Sequence, residues 1–257
     1  MTTRLNRALG WVMLLLLAAA WEAIARAGVF EIVFFPPASV ILATFGQLIA
    51  NGVIPYHIGF SLINMFAGYF LAAAVTIPFG VLLGYHRALY NLFEPIIEFL
   101  RPLPTTAIVP LAMLFLGVGY VEKIFLIFFA CSRIMIVNAV YGARSADPRL
   151  IETARTYGYS GFKVIRRIIF PAATPSIMTG LRISLAISVI VIIAAEMLGS
   201  DSGIGYYTIV MQRSFSTPEM YAGVLSLCIL GYLLNRLFLL AEGVMMAWHH
   251  GLTAKIL

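Results

Sequence analysis

The chain has 257 residues, of which 61% are hydrophobic and 11% charged; a soluble globule carries about 25% charge, so composition excludes a water-soluble domain and indicates an integral membrane protein. The net charge of +6 does not point to nucleic acid, because most Lys and Arg flank apolar runs. Cys131 and Cys228 lie inside apolar runs with no metal-ligand or redox spacing and are expected to be packing residues.

Taken in order, the first apolar run covers about residues 9–25 behind Arg4 and Arg7. It lacks a small-residue cleavage site with a polar flank, so it reads as a retained span whose basic end stays inside. Residues 28–56 contain no Lys or Arg, which suits an outer segment. Pro36-Pro37 breaks it, and Ser39 is placed to cap a short helix with Val40, Ile41, Phe45, Leu48 and Ile49 as its apolar stripe. That helix is too short to span and is expected along the outer interface.

A second span, about residues 58–84, includes Pro78, which a membrane helix tolerates as a kink. His86 and Arg87 mark its inner end. Residues 89–103, interrupted by Glu94-Pro95, Glu98 and Arg101-Pro102, read as an amphipathic lead-in to a third span that ends near Leu116. The fourth span, about 124–141, carries Arg133; the fifth, about 175–198, carries Arg182 and Glu196. An outer loop with Asp201 and Gly203-Ile204-Gly205 leads to a sixth span, about 220–248, with Arg236 and Glu242. His249, His250 and Lys255 are expected on the inner face.

Charge asymmetry orients these spans. Arg4, Arg7, Arg87, Arg101, Arg144, Arg149, Arg155, Lys163, Arg166, Arg167 and Lys255 would lie inside, whereas Arg26, Lys123 and Arg213 would lie outside. The excess predicts six spans with both termini cytoplasmic.

The polar stretch 147–171, DPRLIETARTYGYSGFKVIRRIIFP, stands apart from its oily surroundings. Asp147-Pro148 signals a helix start, Leu150, Ile151, Ala154 and Tyr157 fall at helical spacing, and Gly158 signals the stop. A short basic helix of this kind could dock a partner or lie on anionic lipid. Glu152, Ala154 and Gly158, followed by Ile168 and Pro171, resemble the EAA loop of bacterial ABC importer permeases. Thr153 and Phe170 replace an expected Ala and Leu, both mild departures. In the fifth and sixth spans, Gly180-Leu181-Arg182, Ala195-Glu196, the Gly203-Ile204-Gly205 turn and the Trp248 ending are similar to the nitrate/sulfonate/taurine/bicarbonate branch of that family.

The resemblance implies an all-α integral membrane protein of the type I ABC importer permease (MetI-like) fold, with residues 1–257 as one permease domain. It also implies that 147–171 forms the coupling loop, with Glu152, Ala154, Arg155, Gly158, Ile168 and Pro171 as its contact residues. The implied partners are a second copy completing the pore, two cytoplasmic ABC ATPase subunits, and a periplasmic or lipid-anchored substrate-binding protein in the bacterial inner membrane. The chain has no phosphate-cradling G-x-x-x-x-G-K-[ST] sequence, so ATP and magnesium are expected on the ATPase and no cofactor on this chain.

Ionisable residues at depth are functional candidates. A rise of about 1.5 Å per residue puts Arg133 about 12 Å, Arg182 about 10 Å and Arg236 about 18 Å from the inner edge, with Glu196 about 31 Å up. Arg133, Arg182, Arg236 and Glu196 are therefore the candidate pore residues. For Arg133 a cavity-facing role and a helix-to-helix tie stay open. Arg182 could snorkel, Arg236 could pair with Glu242 of another copy, Glu196 could fix the outer loop, and His57 is expected at the surface. The surplus of arginine suits a small anion, and the resemblance implies one such as a sulfonate (taurine, alkanesulfonate), nitrate or bicarbonate, with an uncharged vitamin precursor as the alternative in the same family. An intramembrane enzyme lacks H-E-x-x-H or a buried acid pair, and a stand-alone channel would leave the polar loop unexplained.

Overall fold

A computed structural model of the chain describes residues 2–31 and 33–246. Across them the regular structure is helical: α1 (Thr2–Arg26), α2 (Ala38–Ala50), α3 (Val53–Tyr85), α4 (Arg87–Leu100), α5 (Thr105–Leu116), α6 (Tyr120–Arg144), α7 (Pro148–Thr156), α8 (Phe162–Val164), a π-helical turn (Ile165–Ile169), α9 (Phe170–Leu198), α10 (Ile204–Arg213) and α11 (Thr217–Met245). The turn joins α8 to α9, so Phe162–Leu198 is one run of 37 residues.

Among the described residues, α3, α6, the α8–α9 run and α11 are each long and apolar enough to cross a membrane. A fifth crossing exists if α4 and α5, bent by 95° at their junction, make one broken span. At 25 residues, α1 has about 37 Å of helical rise. It meets the rest of the chain near its end, where Trp21 stacks on Phe35 at 4.4 Å and Glu22 accepts from the Ser39 amide at 3.0 Å.

The core is the packing of α3, α6 and α9. Met65, Tyr69 and Ala72 of α3, Leu126, Ile127 and Met135 of α6, and Val191 and Ile192 of α9 bury one cluster. A second cluster, built on Val81, Ala139, Ala143, Ile169 and Ala173, lies toward the end that carries α7. In a lipid-facing bundle, close backbone approach replaces the hydrophobic drive between helices. Gly80 permits that approach, since a Cβ there would lie 2.7 Å from the Ala139 Cβ.

The structure corrects four expectations. Ser39 does not cap α2: the helix begins at Ala38 behind extended Pro37, and the Ser39 hydroxyl donates instead to Glu22 at 2.8 Å. The amphipathic lead-in is present as α4, but it does not run on into the third span: Arg101-Pro102-Leu103-Pro104 breaks the stretch, and α5 leaves at 95°. The loop after the fifth span contains α10, which packs on α9 and α11. Lys123 is not in an exposed outer loop: it occupies the first turn of α6 with Glu122, and both are fully buried. The Trp248 ending and His249, His250 and Lys255 lie outside the described residues.

Candidate functional site

At one end of the bundle α7 forms a compact, capped surface helix. The Asp147 carboxylate accepts from the Arg149 amide at 2.9 Å, and Pro148 occupies the first turn, where its missing N–H leaves no donor orphaned. At the other end Gly158 takes φ +79°, the Gly158 amide donates to the Arg155 carbonyl at 3.0 Å, and the Tyr159 amide donates to the Ala154 carbonyl at 2.9 Å. These two bonds make a Schellman cap, which needs a left-handed residue where Gly158 stands.

The six loop residues divide by exposure. Ala154 is buried, and the half-buried Ile151 and Ile168 pack against the cluster that includes Ala143, Ala146 and Val164. Glu152, Arg155, Gly158 and Pro171 are exposed. The apolar spacing is likewise split: Ile151 turns inward, while Leu150 and Tyr157 are 58% and 79% exposed. The helix therefore offers a mixed surface of Glu152, Arg155, Leu150 and Tyr157. Thr153 and Phe170, where the motif departs from its pattern, are exposed, so neither change disturbs packing. Past the cap, Arg167 donates to the Tyr159 hydroxyl at 2.7 Å and helps fix the second half of the loop.

Arg133 sits against the α4–α5 elbow. Its guanidinium donates to the Leu100 carbonyl at 3.1 Å, to the Leu103 carbonyl and to the Thr105 hydroxyl, while Nε reaches the Phe129 carbonyl at 3.3 Å. Carbonyls freed by a broken helix need donors, and an arginine at a helix C-terminus supplies them with favourable charge. The same side chain forms part of the wall of a cavity of about 420 Å³ between the elbow, α6 and α9, with Arg101, Thr106 and Asn138. Both alternatives for Arg133 thus meet at one place, with the donors turned onto backbone.

Glu196 lies near the opposite end from α7 and is fully buried. Its carboxylate accepts from the Ser61 hydroxyl at 2.7 Å and from the Gly205 amide at 2.9 Å. Ser61 in turn accepts from the Ile204 amide at 3.0 Å, and His57 Nδ1 accepts from the Gly203 amide at 3.2 Å. The carboxyl packs so closely on Gly203, at φ +106°, that any Cβ there would overlap it. Glu196 therefore ties α3, α9 and the start of α10 together. His57, expected at the surface, is half-buried within this knot. Glu122, which sequence reasoning passed over, is buried in the first turn of α6 beside Lys123, and neither carboxyl oxygen has a hydrogen-bond partner among the described residues.

Arg182 and Arg236 remain exposed on the bundle. Arg182 donates to the Asn235 side chain at 3.3 Å, and Arg236 donates to the Tyr232 hydroxyl at 3.0 Å. Because helix extends back to Phe162, Arg182 lies about 18 Å along the axis from Phe170.

Comparison with known proteins places this geometry in a family. A protein named as an aliphatic sulfonates transport permease, SsuC, of Bacillus subtilis (strain 168) is 31% identical over 245 residues, covering 94% of this chain and 89% of that protein. The taurine transport system permease protein TauC of Escherichia coli (strain K12) is 28% identical, covering 92% of this chain and 88% of TauC. The nitrate import permease protein NrtB of Synechocystis sp. is 32% identical, covering 72% and 67%. Among solved structures, an inward-facing conformation of the MetNI methionine ABC transporter superposes with a TM-score of 0.60 at 21% identity, over 69% of this chain and 89% of that one. Such a likeness speaks for the fold, a MetI-like helical permease. Residues 76–245, which hold the α7 loop and the core helices, match the family described as the binding-protein-dependent transport system inner membrane component, and the chain belongs to that family of ABC importer permeases.

Proposed function

We propose that the chain forms half of the translocation pore of an ATP-driven importer for a small anion, and that α7 is the helix through which a cytoplasmic ATPase drives it. The observation that carries the coupling role is α7 itself. It is a helix closed at both ends by its own caps, packed against the bundle through Ile151 with Ala154 buried, and presenting Glu152, Arg155, Leu150 and Tyr157 outward. A rigid, externally amphipathic helix transmits a push to the α8–α9 run, on which it packs through α8, and to α6 through the short link at 145–147. Residues 147–171 are then the coupling loop of a single permease domain, with ATP and magnesium held by the ATPase rather than here.

The anion reading rests on the relatives named for sulfonates, taurine and nitrate, and on Arg101 and Arg133 in the wall of the cavity beside the elbow. In this reading six crossings come from α1, α3, the α4–α5 pair (α4 entering along the inner interface and α5 turning into the membrane), α6, the α8–α9 run and α11, and both ends lie in the cytoplasm. A second copy supplies the other half of the pore, and an external binding protein selects the solute.

Co-expression with the cognate soluble ATPase tests the coupling role. The two proteins are expected to co-purify from membranes. Glu152→Lys, which reverses a charge on the offered face, is expected to lower transport at least tenfold more than Glu31→Lys in the loop at the other end. Equal effects at the two positions would remove the case for α7 as a special surface.

A further inference from the structure

Next to α7 the structure holds a second basic feature, which shares only Arg155 with the docking surface. A cavity of about 730 Å³ opens between α4, the ends of α3 and α6, and the inner side of α7, and its wall includes Arg87, Tyr90, Glu94, Arg144, Ile151 and Arg155. Three arginines face one acid, and among the described residues none of the three forms an ion pair. The Arg144 guanidinium carbon lies over the Tyr90 ring, 3.6 Å from its centroid, a cation–π contact that holds the group at the cavity while its N–H donors can still take an oxyanion.

The opposite side of α4 identifies what carries that oxyanion. No residue of α4 is buried, and Leu89, Leu92, Ile96 and Phe99, at helical spacing, form an exposed apolar stripe. A helix with a polar side on a basic cavity and a bare apolar side is built to lie in the membrane interface. A free anion would account for the arginines but not for the stripe. The stripe seats α4 in the acyl region and so brings the cavity on its polar side to the level of the headgroups, where the oxyanion at hand is a lipid phosphate.

We propose that this cavity binds the headgroup of an anionic phospholipid, whose phosphate bridges Arg87 and Arg144 of the α4 side to Arg155 of α7. Bound there, the lipid links the α4–α5 elbow to the helix read above as the coupling helix, and in that consequence it rests on the proposed function. Binding itself does not: it is measured on this chain alone, whereas the coupling role is measured by ATPase association, so either can fail without the other.

The test uses the purified full chain in detergent, with phosphatidylglycerol, phosphatidylethanolamine or inorganic phosphate as probe and bound lipid counted by native mass spectrometry. Phosphatidylglycerol is expected to be retained preferentially. Arg87→Gln/Arg144→Gln is expected to weaken it by about fivefold for each arginine removed, whereas Arg213→Gln, at the other end of the molecule, leaves it unchanged. Equal retention of phosphatidylglycerol by the wild type and the double variant overturns the proposal. Phosphatidylethanolamine held as tightly overturns the anionic requirement. Displacement of the lipid by millimolar inorganic phosphate reassigns the cavity to a free anion. A measurement on the unaltered chain guards against misfolding of the variant: hydrogen exchange at residues 87–94 and 144–155 is expected to slow in phosphatidylglycerol nanodiscs relative to phosphatidylcholine. Identical exchange in the two would overturn the site as well.

Discussion

Arg133 illustrates how much one side chain holds. A charge at mid-membrane facing lipid would cost several kcal/mol, and here that charge is turned onto the Leu100 and Leu103 carbonyls and the Thr105 hydroxyl instead. Removing it leaves acceptors at a broken helix without partners, at about 1–3 kcal/mol for each that stays dry. Arg133→Ala is therefore expected to lower the detergent unfolding midpoint and the yield of assembled complex together with uptake. Arg133→Lys, which keeps the charge but cannot reach three acceptors at once, is expected to fall between. Uptake lost at undiminished yield and stability would instead make Arg133 a substrate contact. The sequence marks Arg133 and Glu196 as charges in apolar runs but hides their partners, because Leu103 and Ser61 lie 30 and 135 residues away. Glu122 and Lys123 were hidden for another reason. Two adjacent charges beside a Gly-Val-Gly turn look like a solvated loop, and only the packing of α3 against α6 buries them.

At the scale of elements, legibility follows from how local the determinants are. The ends of α7 could be read from Asp147-Pro148 and Gly158, because each cap is formed by atoms within a few residues. The elbow could not be placed: Pro95, Pro102, Pro104 and Pro110 all interrupt the same stretch, and the break between α4 and α5 is held by Arg133 from a different helix. Gly158 gives the sharpest element-scale prediction. A side chain there meets nothing within 4 Å in this chain, so its penalty is conformational, not steric. The left-handed region costs an L-residue about 1–2 kcal/mol, less for Asn and more for a β-branched side chain. Gly158→Val is expected to insert normally in the membrane yet lose ATPase association, with Gly158→Asn retaining most of it. ATP hydrolysis by a Gly158→Val complex that still responds normally to loaded binding protein would show that the cap does not matter for docking.

The whole molecule points beyond a single chain. In α11 only 17% of the most apolar window is buried, against 39–44% in the other three long helices, so although α11 packs on α2, α9 and α10 it leaves a broad apolar face uncovered by its own chain. Arg236 lies on that helix, exposed, with the Tyr232 hydroxyl as its recorded partner. Counting from Met245, it stands about 14 Å along the axis, close to the middle of a hydrocarbon layer about 30 Å thick. A charge left in lipid at that depth costs about 2.5–3.5 kcal/mol even with some relief from the surrounding bilayer. A second copy, or the water-filled path between two copies, removes that cost. The two environments answer oppositely to Arg236→Leu. If the side chain faces lipid, leucine should raise the unfolding midpoint and leave uptake intact. If it faces the other copy or the path between copies, leucine strips a polar group from an interface or a wet surface. The expected outcome is then a smaller fraction of dimer by native mass spectrometry, uptake reduced at least tenfold, and no gain in stability. A more stable protein with undiminished uptake would place Arg236 in lipid and remove this argument for α11 as the face that meets its copy.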